Sequence, residues 1–542
     1  LAGAITNSGG SVAKRGAGTL AITNPGASVI GNVGGLAFVV QEGSVVLDGG
    51  ASATYNLPVG EVVVGDMTPN AATLTLNSGT LTVPTYLAVG RGNGSSALQS
   101  TLNLNGGAVS ATFLYTGFAN GAAGFNAQPV VNVNGSAVTA TNVRIGESAG
   151  SFGTLNLNSG TMTSSGQFEI GWNGKGKAVN NMPITIGNLK LGGAAGGSGA
   201  FYNNSTITST AGASTDNFAI GNGANGYGYF RSNAGSSATF AEMGVGGAGV
   251  GDAHGGNGVL DINGGSVTAT AWITPNRDDG TVPATPSAQT CLINVTGGTL
   301  NTPNSGQFRV NTAANADLQA VLNVSGTGSI VGAGPASTMN LNSGVGNNYG
   351  MLTIGAGGTV QLTGISSAGD ANHAIVNFTG GTLKAGAVAP ALLASTVVGH
   401  LHSGGAIVDT NGFDSNIQAP LLAPANAAVT SIPLTSTGSG YIGRPLVRID
   451  GTGTGATAVA DFNPATGEVT GITVTSPGSG YNLAPTVTLI GGGATTPAVV
   501  GNPDMGPAAT TGGLTKNGAG TLTLSGINTY TGNTTVNAGG LT

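Results

Sequence analysis

Short runs of alternating apolar and polar residues, each closed by Asn, Ser or Thr and then glycine, recur along the chain. The clearest copies are Thr73-Leu-Thr-Leu-Asn-Ser-Gly-Thr-Leu-Thr82 and the matching stretches at 101–110 and 154–163, with others at 130–139, 259–268, 292–301 and 375–384. Alternation with period two predicts strands with one buried face. In the first copy Leu74, Leu76 and Leu81 fall on that face. Thr73, Thr75 and either Thr80 or Thr82 fall on the other, once the turn has reset the register. Using the turn residue as a register mark gives Asn77, Asn105, Asn134, Asn158, Asn188, Asn233, Asn263, Thr296, Ser325 and Thr379. Asn77 and Asn105 stand 28 positions apart and Asn158 and Asn188 stand 30 apart, while the wider gap before Asn233 predicts a degenerate copy near Ser209. A period of about 24 to 33 residues suits one coil of a solenoid.

Between the marks runs a second motif, an apolar pair followed by glycine and a polar, glycine-rich corner. It occurs at 86–94, 167–174 and 218–223, so each coil carries two or three strands. A single coil cannot enclose its apolar face. Coils stacked about 4.8 Å apart bury a continuous column and pair their backbone groups with their neighbours. Gly and Asn at the corners supply left-handed backbone conformations, and stacked corner asparagines can form amide ladders. The expected fold class is all-β: a long parallel β-helix, or β-solenoid.

Composition narrows the function classes. Gly contributes 100 of 542 residues and charged residues 6%, yet hydrophobic residues reach 39%, too many for simple disorder. The glycines do not fall on every third position, which excludes collagen. A net charge of −6 with no basic stripe argues against nucleic-acid binding. No run of about 18 apolar residues predicts a membrane helix. Cys291 is the single cysteine, so no intrachain disulfide is expected. The chain opens at Leu1 inside the repeat pattern, as expected of a processed product or a piece of a longer protein.

The stretch 12–23 (Val12-Ala-Lys-Arg-Gly-Ala-Gly-Thr) echoes 514–525 (Leu514-Thr-Lys-Asn-Gly-Ala-Gly-Thr), so the two segments are expected to form one coil type. The whole segment from Leu514 to Thr542 resembles the autotransporter-associated β-strand repeat of passenger-type proteins, and 404–417 is similar to another element of those proteins. The remaining coils resemble them through composition and rhythm. The resemblance implies a right-handed parallel β-helix, export to the bacterial surface, and roles in adhesion, biofilm or surface layers. It carries no catalytic motif. Serial ten-residue amphipathic strands with aromatic girdles, as in a membrane barrel, are not seen in the chain.

A different unit interrupts the rhythm. The segment 437–451, with Gly438-Ser-Gly-Tyr441, recurs 40 residues later at 477–491 with Gly478-Ser-Gly-Tyr481, and predicted strands 456–461 and 469–475 flank the hairpin-like Asn463-Pro-Ala-Thr-Gly467. The expected organisation is N-terminal coils over 1–60, the main solenoid over 61–428, an inserted β-module over 429–495 and a C-terminal repeat coil over 496–542. Loops and insertions often carry the contacts of a solenoid, so Tyr441, Arg444, Arg448 and Tyr481 are the candidate binding surface. The competing reading, and the favoured one for the tyrosines, is that they pack the module.

Motifs with chemical potential each have a plainer reading. Gly146-Glu-Ser-Ala-Gly150 fits the nucleophile-elbow pattern but follows a strand at an ordinary corner, with no helix predicted behind it. His400 and His402 share a strand face, with no third metal ligand evident nearby; His254 and His373 lack even that spacing. The run 246–252 approaches a calcium-binding nonapeptide, but Asp252 is displaced by one position and tandem copies are lacking. Arg277, Asp278 and Asp279 read as a solvated loop, and Gly451, Gly453 and Gly455 precede a strand rather than the helix a phosphate cradle needs. Polysaccharide cleavage, which a β-helix permits, needs convergent carboxylates that the pattern does not reveal.

The expectation is therefore a non-enzymatic, secreted or cell-surface structural protein of a fibre or layer, self-associating through solenoid stacking. No cofactor, metal or nucleic acid is expected. The alternative is a passenger adhesin that binds surfaces or carbohydrate through the 429–495 module.

Overall fold

The computed structural model describes residues 1–66, 71–92, 99–119, 126–193, 196–212, 217–246, 256–276, 289–312, 317–343, 348–507 and 510–542. The chain divides into two compact units, Leu1–Ala211 and Gly212–Thr542. Both are parallel β-solenoids, and neither contains an α-helix among the described residues.

In the first unit three strands per coil stack into three columns. One column runs through Thr19–Ile22, Gly43–Leu47, Ala72–Leu76 and Ser100–Leu104, each pairing in parallel and in register with the next. Leu74 sits against Val45 on one side and Leu102 on the other, so every inward residue lies over its counterpart one coil away. Leu74, Leu76 and Leu81 are fully buried, as the alternation requires, and Thr73, Thr75 and Thr80 face outward.

The predicted amide ladder is present at the corner. Asn105 donates to Asn77 at 3.0 Å, Asn134 to Asn105 at 3.0 Å, Asn158 to Asn134 at 2.8 Å, Asn181 to Asn158 at 3.4 Å and Asn204 to Asn181 at 2.7 Å. This corrects one register mark. Asn188 belongs to a different column, where it pairs with Gln167, and Asn181 and Asn204 are the true ladder members. The second motif also has a clear role. Gly65, Gly90, Gly117, Gly146, Gly171 and Gly192 each lie within two residues of a strand's end with φ between 68° and 77°, a left-handed conformation that a β-branched residue resists.

The second unit repeats the three-column plan from Phe218–Ile220 onward. Among the described residues one antiparallel segment interrupts its coils. Ala406–Asp409 pairs in parallel with Leu514–Asn517, and Ser415–Ile417 with Thr521–Leu524, so consecutive coils are about 107 residues apart in sequence. The chain between them forms antiparallel ladders: Ala428–Ser431 with Asp504–Gly506, Leu434–Ser436 with Val499–Val500, Leu446–Asp450 with Thr486–Ile490, and Thr454–Asn463 with Glu468–Ser479. The last pair closes through the anticipated 463–467 turn, where the Gly467 amide donates to the Asn463 carbonyl at 2.9 Å.

The two copies of the internal repeat face each other. Arg448 pairs with Thr488, its own counterpart 40 residues on, at the centre of the Leu446–Asp450 ladder. An antiparallel pairing centred on equivalent residues gives the insertion a local two-fold relation between its halves. Gly438, Gly440, Gly478 and Gly480 all take positive φ, between 62° and 82°, so both copies use glycine at the same two places.

Candidate functional site

The insertion lies on the outer face of one strand column of the second unit. That column contains Tyr227–Ser232, Asn257–Pro275, Thr290–Thr302, Gln319–Gly332, Tyr349–Gly355 and Ala374–Thr379, paired in parallel. Register places Tyr229, Val259, Leu292, Val321, Met351 and Ile375 in one outward row, and all six are buried. In the column of Ala72–Leu76, by contrast, the outward rows carry Thr and Asn. Here the row is apolar because the insertion covers it: the Phe462 ring meets Tyr229 edge-on at 6.0 Å.

Beside the apolar row runs a polar one: Arg231, Asp261, Asn294, Asn323, Thr353, Asn377 and His400. Asn294 donates to Asp261 at 2.9 Å and Asn323 to Asn294 at 2.8 Å. Further along, these side chains reach the insertion. Thr353 and Thr457 hydroxyls meet at 3.0 Å, and the Asn377 amide donates to the Gly455 carbonyl at 2.9 Å. Gln319, from a neighbouring row, donates to the Ile449 carbonyl at 3.1 Å and to Asp450 at 2.9 Å. Buried hydrogen bonds thus recur along the seam, and buried polar groups that are paired in this way favour a unique arrangement.

The four residues chosen from sequence as a binding surface are turned inward. Tyr441 is 6% and Tyr481 3% exposed; the Tyr441 hydroxyl accepts from the Ala498 amide at 2.8 Å. Burial, with Tyr349 and Asp450 nearby, pushes the Tyr481 phenol up to about 12 against a hydrogen bond to the Ala456 backbone. Arg444 donates to Asp261 at 3.1 Å and to the Ala460 carbonyl. Arg448 bridges Asp317 and, at 2.9 Å, Asp450. The arginines thus fasten the insertion to the coils, and the tyrosines pack it. A protruding surface was expected because the insertion breaks the repeat; in the structure it folds back.

Asp261 is the electrostatic centre. Burial alone would raise its pKa, but Arg444, Arg231 and hydrogen bonds from Asn294 and Tyr229 outweigh burial and hold the carboxyl below its ordinary range. Close to the other end of the seam, His400 and His402 stack with ring centres 6.0 Å apart. Burial lowers His400 to about 4; burial and then His400 lower His402 to about 3. His402 Nε2 lies 3.2 Å from Asn377 Oδ1 and 3.4 Å from the Ser476 hydroxyl.

Among the described residues no three His, Cys, Asp or Glu are placed to share a metal ion, and no helix is long and apolar enough to cross a membrane. Burial raises the Cys291 thiol pKa, so this thiol is held protonated. At Gly146-Glu-Ser-Ala-Gly150 the glycine forms a column corner and Glu147 pairs with Arg144 at 3.0 Å. The chain then re-enters the strand Phe152–Ile170, so the helix of a nucleophile elbow is missing there. Gly455 opens into Thr454–Asn463, also a strand. His254, Asp252 with Gly247 to Gly251, and Arg277, Asp278 and Asp279 lie outside the described residues.

The C-terminal coils supply the remaining observation. Leu514–Asn517 and Thr521–Leu524 are followed by Thr534–Val536 and Gly540–Leu541, each in parallel with the coil before. Residues 514–542 match the family model of the passenger-associated-transport-repeat. The passenger-associated repeat is thus built into the solenoid as a further turn of it, and fold and repeat together support an autotransporter passenger domain. No curated protein and no solved structure matches the chain.

Within the passenger-associated repeat, Lys516 is fully buried. Its ammonium donates to the carbonyls of Asn517, Gly518, Gly520 and Ala538 and to the Thr410 hydroxyl, at 2.6 to 3.1 Å. Ala538 belongs to the following coil and Thr410 to the preceding one, so one side chain ties three coils. Lys14, in the echoing segment 12–23, makes the same kind of tie to the carbonyls of Arg15, Gly16 and Glu42.

Proposed function

We propose that this chain is a non-enzymatic passenger exported to the bacterial surface, where its solenoid is the working part: a structural element of a fibre or layer, joined to further copies by coil-on-coil stacking. The observation that carries this reading is the passenger-associated repeat itself, which extends the solenoid in parallel and is tied through Lys516 to Thr410 of the coil before it. Sparse charge supports it further, since 34 ionisable acidic and basic residues in 542 offer little repulsion between aligned molecules.

Negative-stain microscopy and sedimentation of the purified chain over a range of concentrations test the proposal. The amide of Val536 takes no part in pairing with Leu514–Asn517, because the neighbouring Asn537 amide makes that bond. Val536→Pro therefore leaves the coil's own ladder intact while removing a donor from its other edge. Filaments that lengthen with concentration and shorten in Val536→Pro are the expected result. Separate short particles in both samples would overturn stacking and leave an adhesive passenger as the better reading.

A further inference from the structure

A cleft of about 320 Å³ opens where the insertion meets the coils. Gln319, Tyr349 and Met351 form its floor on the solenoid, and Asp450, the glycines of 451–455 and Tyr481 form its roof on the insertion. Asp317 and His373 stand at the sides. The volume is near the lower bound for small-molecule pockets, roughly 300 Å³.

Two kinds of group meet there. The first is aromatic: the His373 ring meets Tyr349 edge-on at 4.4 Å, and Tyr481 closes the opposite wall. The second is anionic. Burial and then the carboxylates of Asp370, Asp317 and Asp450 raise the Tyr349 pKa, which shows all three acids bearing on one phenol. Arg448 is already shared between Asp317 and Asp450, while Asp370 accepts from the Asn372 amide at 2.9 Å and lies 3.6 Å from the His373 ring. Three carboxylates thus bear on a cleft beside one guanidinium. An aromatic-walled cavity with surplus negative charge is suited to a cation that also has apolar surface. Among the described residues no three carboxylates or histidines are placed to share a metal ion.

We propose that this cleft binds a small organic ammonium group, with Tyr349 and Tyr481 against its carbon atoms and Asp317, Asp370 and Asp450 supplying the counter-charge. The site is independent of whether the solenoid assembles.

Calorimetric titration of the full chain with cadaverine, and in parallel with the uncharged pentanediol of the same length, tests the assignment. Cadaverine is expected to saturate one site per chain and pentanediol none. Asp370→Asn keeps the acceptor that caps the Asn372 amide while removing a charge, and should weaken cadaverine about fivefold. Tyr349→Leu should weaken it further. Glu468→Gln, in the same insertion but away from the cleft, should leave binding unchanged. The proposal fails if the diol binds as well as the diamine, if glucose saturates the site where cadaverine does not, or if folded Asp370→Asn and Tyr349→Leu proteins bind like the parent. Should Tyr349→Leu not fold, the diamine–diol comparison and Asp370→Asn decide the matter.

Discussion

At Asp261 a carboxylate only 1% exposed keeps its charge beneath the insertion because Arg444 faces it from above and Arg231 from the side. Removing one partner of such a pair strands the other. Arg444→Met should therefore cost about 3 kcal/mol or more of insertion docking, read as faster hydrogen exchange at the amides of Leu446–Asp450. Adding Asp261→Asn should recover part of that loss. The His400–His402 pair gives the seam a pH dependence of definite sign. Their folded pKa values, about 4 and about 3, lie below the ordinary 6.5, so the unfolded chain takes up more protons on acidification. Their contribution is complete above about pH 6.5 and falls as pH drops through that value towards 4 and 3, by a few kcal/mol in all. Thermal melts at neutral and mildly acidic pH should show the decline, and the double substitution His400→Gln, His402→Gln should flatten it. Lys516 poses the opposite problem, a cation satisfied by carbonyls. Lys516→Met takes the charged donor from the buried Gly520 carbonyl and from its partly buried neighbours and should loosen Leu514–Leu541 by about 2 kcal/mol, detectable as early proteolysis there.

Strands and corners were the most legible features in the sequence, and the reason is local. Inward Leu and Val repeat with period two inside each short strand, and a corner such as Gly146, at φ 71°, takes a left-handed conformation that suits glycine or, as at Asn276 and Asn311, asparagine. Gly146→Val should cost about 2 kcal/mol or more from backbone strain alone, measurable by denaturant melts. Asn188 was misplaced because three strands per coil offer more than one asparagine as a mark, and the true member, Asn181, is followed by Met182 and not by glycine. The insertion's resting place was illegible for another reason. Strands such as Leu292-Ile-Asn-Val295 are apolar on both faces, a pattern that marks a covered sheet without saying what covers it. The cover comes from more than a hundred residues away. Likewise Tyr441, Arg444, Arg448 and Tyr481 were recognisable as special, but their inward direction depends on carboxylates and ladders the local sequence does not reveal.

For the molecule as a whole, the apolar outward row makes the insertion more than an ornament. A chain lacking 428–506 would expose Val259, Leu292, Val321, Met351 and Ile375 as one continuous strip, and should bind a hydrophobic dye and aggregate where the parent does not; unchanged solubility would show that the strip is covered in some other way. The nested antiparallel ladders also bring distant parts of the chain together. The Leu514 coil must find a partner strand over a hundred positions upstream, a long loop to close by diffusion. The folded insertion spans most of that loop and holds 428 and 506 side by side. With it in place the final turn meets Ala406–Asp409 as if the intervening residues were a tight bend, so the insertion is a side branch of the solenoid and not a break in it.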